Sequence, residues 1–217
     1  MRTKVFLADD HAVLRDGLKL LLEANPDVTV VGWSDNGRDA VERAQALRPD
    51  VIIMDIAMPQ MNGIEATRTI GKLCPSTKVI ILSMYSTTEH IISAVSAGAR
   101  GYLLKESVGA EVLDAIKAVL QGIFYWSRKI PEKMILEVKR RTMKPDAPTP
   151  LMSLSPRERQ ILQLVVEGQS SSEIAETLRL SPKTVDTYRS RLMHKLDVDN
   201  VPALVKFAIQ HGLTPLK

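Results

Sequence analysis

Apolar positions along the first 122 residues alternate between two periods. Short, largely β-branched runs at Lys4–Ala8, Val28–Trp33, Val51–Asp55, Lys78–Ser83 and Gly101–Leu104 predict strands. Between them apolar residues recur at helical spacing. Val13, Leu14, Leu18, Leu21 and Leu22 mark a first helix, and Val41, Ala44 and Leu47 a second. Ile64, Thr67, Ile70 and Leu73 mark a third, and Ile91, Ile92, Val95 and Ala99 a fourth, with Gly98 near its end. Val112, Leu113, Ile116, Val119 and Leu120 mark a fifth. Five strands alternating with five helices predict an α/β doubly wound parallel sheet. Right-handed crossovers bring its strand ends to one rim.

The pattern then changes. Ile130, Met134, Ile135 and Val138 suit a short helix, but Pro145, Pro148 and Pro150 among lysines and arginines read as a linker, so 128–150 is expected to join two domains. Residues 151–217 contain no strand pattern and several helix starts. Ser155-Pro156-Arg157-Glu158 and Ser170-Ser171-Ser172-Glu173 are capping boxes, Ser181-Pro182 repeats the Ser-then-Pro start, and Asn200 suits a last cap. Four short helices at about 155–167, 170–178, 182–196 and 200–211 follow. The expected division is a 1–127 domain, a 128–150 linker and an all-α four-helix domain at 151–217.

Charge sharpens this division. Residues 1–128 carry 14 Lys/Arg against 15 Asp/Glu, whereas 129–150 carry 6 against 3 and 151–217 carry 9 against 7. The basic excess in the later segments suits a polyanionic partner. A single cysteine, Cys74, excludes a disulfide framework or a Cys-based zinc site within one chain. The opening MRTKVFLADD turns acidic after a short apolar run, unlike a secretory leader, and no run approaches the roughly 18 apolar residues of a membrane span. A cytoplasmic protein without a membrane partner is expected.

The chemistry lies at the strand ends. Four apolar residues deliver Asp55 into the loop IAMPQMNG, the first strand runs into Asp9 and Asp10, the fourth ends in Ser83, and the fifth is followed by Lys105. Asp55 alone reads first as a helix cap or a solvated loop residue, and Lys105 alone as a surface lysine. Gathered on one rim, three carboxylates need a cation, and oxygen ligands favour a hard ion such as Mg²⁺. Asp55 then suits nucleophilic attack on a phosphoryl group, with Lys105 and Ser83 on its oxygens.

The stretches FLADDH, VIIMDIAMPQMNG, VIILSMY and GARGYLLKE resemble the receiver domain of bacterial two-component response regulators over residues 3–122. The resemblance implies a flavodoxin-like fold and phosphoryl transfer from a sensor histidine kinase to Asp55. It implies Mg²⁺ held by Asp10, Asp55 and the backbone carbonyl of Ala57, with Asp9 assisting. Ser83 and Tyr102 match the family's switch pair, whose hydroxyl moves to the phosphoryl group while the ring repacks. That movement would change the surface of the fourth helix, fifth strand and fifth helix. Many receivers carry Pro in a cis peptide after the lysine; Glu106 stands there here.

The second domain contains a helix, a short turn and a helix, a geometry that also occurs in ordinary helical bundles. The longer stretch LSPRERQILQLVVEGQSSSEIAETLRLSPKTVDTYRSRLMHKLDV resembles the LuxR-type helix-turn-helix domain over 151–212. Joined to a receiver, it resembles a NarL/FixJ-type response regulator: a phosphorylation-controlled transcription factor, not a dedicated enzyme. It is expected to bind double-stranded promoter DNA and to form a homodimer when phosphorylated or on DNA. The resemblance makes 182–196 a recognition helix. Thr184, Arg191 and Lys195 match phosphate contacts, and Lys183, Asp186, Thr187 and Ser190 match base contacts. Many relatives carry Lys where Asp186 stands. Two other readings compete. A phosphatase of the haloacid-dehalogenase type needs a second Asp two residues after its nucleophile, where Ala57 stands. A receiver that is no longer phosphorylated conflicts with the complete set Asp9, Asp10, Asp55, Ser83 and Lys105.

Overall fold

In the computed structural model, which describes residues 2–143 and 153–210, every expected strand forms. β1 (Thr3–Ala8), β2 (Val28–Ser34), β3 (Val51–Asp55), β4 (Lys78–Ser83) and β5 (Gly101–Leu104) are parallel neighbours in the order β2-β1-β3-β4-β5. A sixth strand, β6 (Tyr125–Trp126), extends the sheet beyond β5. Two residues are too few to show a period of two, so the sequence pattern did not reveal it.

The helices α1 (Ala12–Glu23), α2 (Gly37–Leu47), α3 (Gly63–Leu73), α4 (Thr88–Ala97) and α5 (Val108–Leu120) match the expected five. α4 stops before Ala99 because Gly98 adopts φ 103°, a left-handed cap that glycine enters without strain. Strand alternation splits the core in two. Phe6, Ile52, Met54 and Ile81 face α2, α3 and α4, while Val5, Leu7, Ile53 and Leu82 face α1 and α5. The order of connection reverses between β1 and β3, so their carboxyl ends form the crevice where such sheets bind ligands.

The expected linker begins later than 128. Residues Glu132–Met143 form α6, which packs against α4. Ile130 and Val138 are buried in the same core layer as Ile91 and Ala94, and Arg141 reaches Glu89 at 3.6 Å. The apolar stripe Ile130, Met134, Ile135, Val138 therefore belongs to the first compact unit, which runs through the end of α6. Pro145, Pro148 and Pro150 lie outside the described residues. Two of the three elements expected to form the switch surface thus carry the chain's own cover: β6 on the edge of β5, and α6 on α4.

The second unit holds α7 (Pro156–Val166), α8 (Ser171–Leu178), α9 (Pro182–Leu196) and α10 (Val201–Gln210). Both capping boxes close as expected, Ser155 with Glu158 and Ser170 with Glu173, and Asn200 accepts from the Ala203 N–H. Leu154, Ile161, Ile174, Val185, Leu192 and Leu204 fill a single core. Position 211, the expected end of the last helix, lies outside the described residues. No helix among the described residues is long and apolar enough to cross a membrane.

Candidate functional site

Strand register assembles the rim. Ala8 pairs with Met54, which sets Asp9 beside Asp55 at the ends of β1 and β3. Asp55 pairs with Leu82, and Ser83 with Leu104, so Ser83 and Lys105 each lie one step further along the neighbouring strands. Asp9 and Asp55 are each 2% exposed, whereas Asp10 is open to solvent. The Lys105 ammonium lies 2.8 Å from Asp55 Oδ2 and 3.0 Å from Asp9 Oδ2. It sits in a short 3₁₀ turn, Lys105–Ser107, and no peptide bond among the described residues is cis. Glu106, in the position many receivers give to proline, is ion-paired with Lys129 at 3.0 Å.

His11 is a member that the sequence pattern did not single out. Its Nδ1 lies 2.9 Å from Asp10 Oδ1 and 3.2 Å from Asp9 Oδ1. Its place directly after the paired acids was the available signal. Arg15 donates to the Asp9 carbonyl at 2.9 Å and stacks over Trp33 at 4.0 Å, which fixes the loop after β1.

The electrostatics are strained in the way a cation relieves. Burial and the neighbouring Asp9 push the Asp55 carboxyl up to about 6, against the opposing pull of Lys105. Burial lowers the Lys105 ammonium, but Asp55 and Asp9 outweigh it and hold the group above its ordinary value. Carboxylates of Asp9, Asp10 and Asp55 and the His11 ring place ligand atoms within 4.8 Å of one another. Three oxygen donors with one of them forced toward neutrality suit a hard divalent ion such as Mg²⁺.

The loop after Asp55 is braced by two glycines. Gly63 donates to the Ile56 carbonyl at 2.9 Å, and a Cβ there would lie 1.9 Å from the Asp55 carbonyl oxygen. Gly37 donates to the Met61 carbonyl at 3.1 Å, and a Cβ would lie 2.2 Å from it. Asn62 caps α3 by accepting from the Glu65 N–H. Ser83 Oγ accepts from the Tyr85 N–H at 3.0 Å, and the fully buried Tyr102 donates its hydroxyl to the Tyr85 carbonyl at 2.8 Å. Both members of the expected switch pair therefore grip one residue, Tyr85, whose ring stacks on His90 at 4.7 Å.

In the second unit, α8, a turn through Arg179 at φ 53°, and α9 form the helix-turn-helix. Lys183, Asp186, Thr187, Ser190 and Arg191 are exposed on α9 and Thr184 is half-buried, so a polar face is presented as expected. Thr187 donates to the Lys183 carbonyl, and Thr184 shares a hydrogen bond with Ser181. Two residues are engaged differently. Asp186 accepts from the Ser171 hydroxyl at 2.6 Å. Lys195, expected at a phosphate, donates to Glu158 Oε2 at 2.8 Å and to the Ser153 carbonyl at 3.3 Å.

The carboxylate drew Lys195 inward because Glu158 is 4% exposed and needs a cation. Burial pushes the Glu158 carboxyl up, but the bonds from Lys195 and Ser155 outweigh it and hold the group below its ordinary value. A depressed carboxyl contributes stability above its unfolded pKa and loses it as pH falls through the folded one. Lys195→Ala is therefore expected to destabilise this unit by about 1–3 kcal/mol at neutral pH. The difference fades below the ordinary glutamate range. Thermal unfolding of the full chain from pH 3 to 8, in steps of about one unit, checks both the size and the sign.

The two units match separate family models. Residues 5–117 match the response regulator receiver domain, and residues 152–208 match the luxR family of bacterial regulatory proteins. The response regulator UvrY of Escherichia coli K12 is 38% identical over 210 residues, covering 96% of this chain and 94% of that protein. The oxygen regulatory protein NreC of Staphylococcus haemolyticus is 36% identical, covering 97% and 98%. Among solved structures, one of the Salmonella typhimurium RcsB response regulator is similar at 28% identity and a TM-score of 0.64, covering 97% and 99%. An RcsB–DNA complex is similar at 26% and 0.57, again covering 97% and 99%. The fold and the rim define a receiver. The chain belongs to the two-component response regulators that join a receiver to a LuxR-type helix-turn-helix domain.

Proposed function

We propose that a sensor histidine kinase donates a phosphoryl group to Asp55, and that the product controls promoter binding by α9. The observation that carries this reading is the Lys105 ammonium shared by Asp55 and Asp9 at a central sheet switch point. An Asp55 oxygen forms the new bond to phosphorus as the donor's phosphorus–nitrogen bond breaks and the imidazole leaves. Lys105, released from the free carboxylate, offsets charge on the phosphoryl oxygens, and Ser83 donates to another. Asp9, Asp10, Asp55 and the Ala57 carbonyl would hold Mg²⁺, which supplies charge neutralisation for donor and acceptor oxygens. Ser83 and Tyr102 both bond to Tyr85, so drawing Ser83 toward the phosphoryl group releases the Tyr85 N–H and loosens the Tyr102 anchor.

The regulated output is a homodimer on double-stranded promoter DNA, with Lys183, Thr187 and Ser190 facing bases and Thr184 and Arg191 facing phosphates. One of the similar solved structures is of two RcsB dimers bound to two parallel DNAs. The face of α1 supports a receiver contact. Val13 is 89% and Leu20 73% exposed, and Val13 lines an apolar groove of about 440 Å³ with Leu14, Gly17, Leu21 and Val108. His11 also lines it and touches the acidic rim, which links the groove to the phosphoryl site. Linking two half-site contacts raises affinity without new base contacts. Sedimentation of the full chain with acetyl phosphate and Mg²⁺ is expected to show dimers, with promoter affinity rising in the same samples. A chain that stays monomeric with and without DNA overturns the dimer, and unchanged promoter affinity overturns the phosphoryl control.

A further inference from the structure

The start of α8 is already occupied by the protein's own charge. In a helix-turn-helix the first helix crosses the DNA backbone, and a helix start with free N–H groups and hydroxyls suits a phosphate. Here that start reads Ser170-Ser171-Ser172. Ser170 is consumed by its own capping box, since its N–H and hydroxyl both donate to Glu173 Oε2 at 2.8 and 2.7 Å. Ser171, the first residue of α8, donates to Asp186 Oδ1 at 2.6 Å. Asp186 projects from α9, and no cation among the described residues pairs with it, although Lys183 and Arg189 are three residues away on either side.

Resting on the reading of α9 as a DNA-recognition helix, we propose that Asp186 restrains DNA binding, by holding a carboxylate where the backbone-crossing helix meets a phosphate. The charge opposes every duplex, because every duplex brings a phosphate to that place. It competes with that phosphate for the Ser171 hydroxyl. The penalty lowers affinity for every sequence alike and leaves the preference between sequences to the base contacts through Lys183, Thr187 and Ser190. A base-reading Asp186 would instead be free to turn toward the groove and would strengthen binding to its own sequence alone.

The test is fluorescence anisotropy of the full chain, treated with acetyl phosphate and Mg²⁺, across a series of salt concentrations. Two duplexes serve as probes: one of mixed sequence, and the one that the wild type selects from a randomised pool. Asp186→Ala is expected to bind the mixed duplex about tenfold more tightly, with a steeper fall of affinity with salt. The selected duplex gains by the same factor, so the preference between the two is unchanged. Ser171→Ala keeps the carboxylate and is expected to show no such gain, which separates the charge from the hydrogen bond. Unchanged or weaker binding of the mixed duplex by Asp186→Ala overturns the proposal, and a loss confined to the selected duplex makes Asp186 a base reader. If wild type and variant bind neither duplex, the recognition-helix reading itself falls.

Discussion

Asp55→Asn is expected to abolish phosphoryl acceptance and, at the same time, to make the metal-free protein more stable. The first effect follows from chemistry. The amide is nearly isosteric but carries no charge and is a poor nucleophile. Intact-mass spectrometry after treatment with acetyl phosphate and Mg²⁺ should show one added phosphoryl group on wild type and none on the variant. Full labelling of the variant would place the acceptor elsewhere.

The second effect follows from the cost of the free carboxylate. Burial and Asp9 raise Asp55 to about 6 from an ordinary value of 3.8. A carboxyl raised in the folded state removes stability as pH climbs from the unfolded value through the folded one, and the loss is complete above it. At neutral pH that loss is on the order of 3 kcal/mol. Asn removes it, so the variant should unfold at a higher temperature than wild type at pH 7 in chelator, and the gap should close near pH 4. Mg²⁺ should narrow the gap at pH 7 by stabilising wild type more. A variant less stable than wild type at neutral pH would show that the Lys105 ion pair outweighs burial.

Legibility differed by the length and locality of each signal. The five long strands and their helices were readable because apolar periods persist over several residues, and the rim was readable because strand ends share one side of a parallel sheet. β6 and the docking of α6 were not. A two-residue strand has no period, and the stripe of Ile130, Met134, Ile135 and Val138 shows that a helix has an apolar face without showing what covers it. Lys195 read as a phosphate contact and Asp186 as a base contact on one expected recognition helix. Their partners, Glu158 and Ser171, lie 37 and 15 residues away in sequence, and only the packed helices bring them together. His11 was visible as a residue but not as a participant, because its role depends on the turn that folds its ring back over the acids.

The loop that follows Asp55 makes the other large prediction, and α3 supplies its own control. Gly63 begins α3 and Gly71 lies near its end. At Gly71 nothing lies within 4 Å of the place a Cβ would take, so Ala gains helix propensity and should stabilise the unit by about 0.5–1 kcal/mol. At Gly63 the same methyl would sit 1.9 Å from the Asp55 carbonyl oxygen and 2.8 Å from its carbon, against backbone that cannot rotate away. Relief requires the start of α3 to move off the end of β3, which breaks the Gly63 N–H bond to the Ile56 carbonyl and tilts the Asp55 backbone. Overpacking of this kind typically costs about 1–3 kcal/mol, and a clash with backbone lies at the upper end. The displaced strand end also moves the Asp55 carboxylate relative to Lys105, now 2.8 Å away. Gly63→Ala should therefore lower the melting temperature and slow phosphorylation by acetyl phosphate well below wild type, even at temperatures where the variant is fully folded. Gly71→Ala should leave the rate unchanged and raise the melting temperature. A Gly63→Ala protein that is phosphorylated at the wild-type rate would show that the site tolerates a shift of α3, and that the close approach serves packing alone.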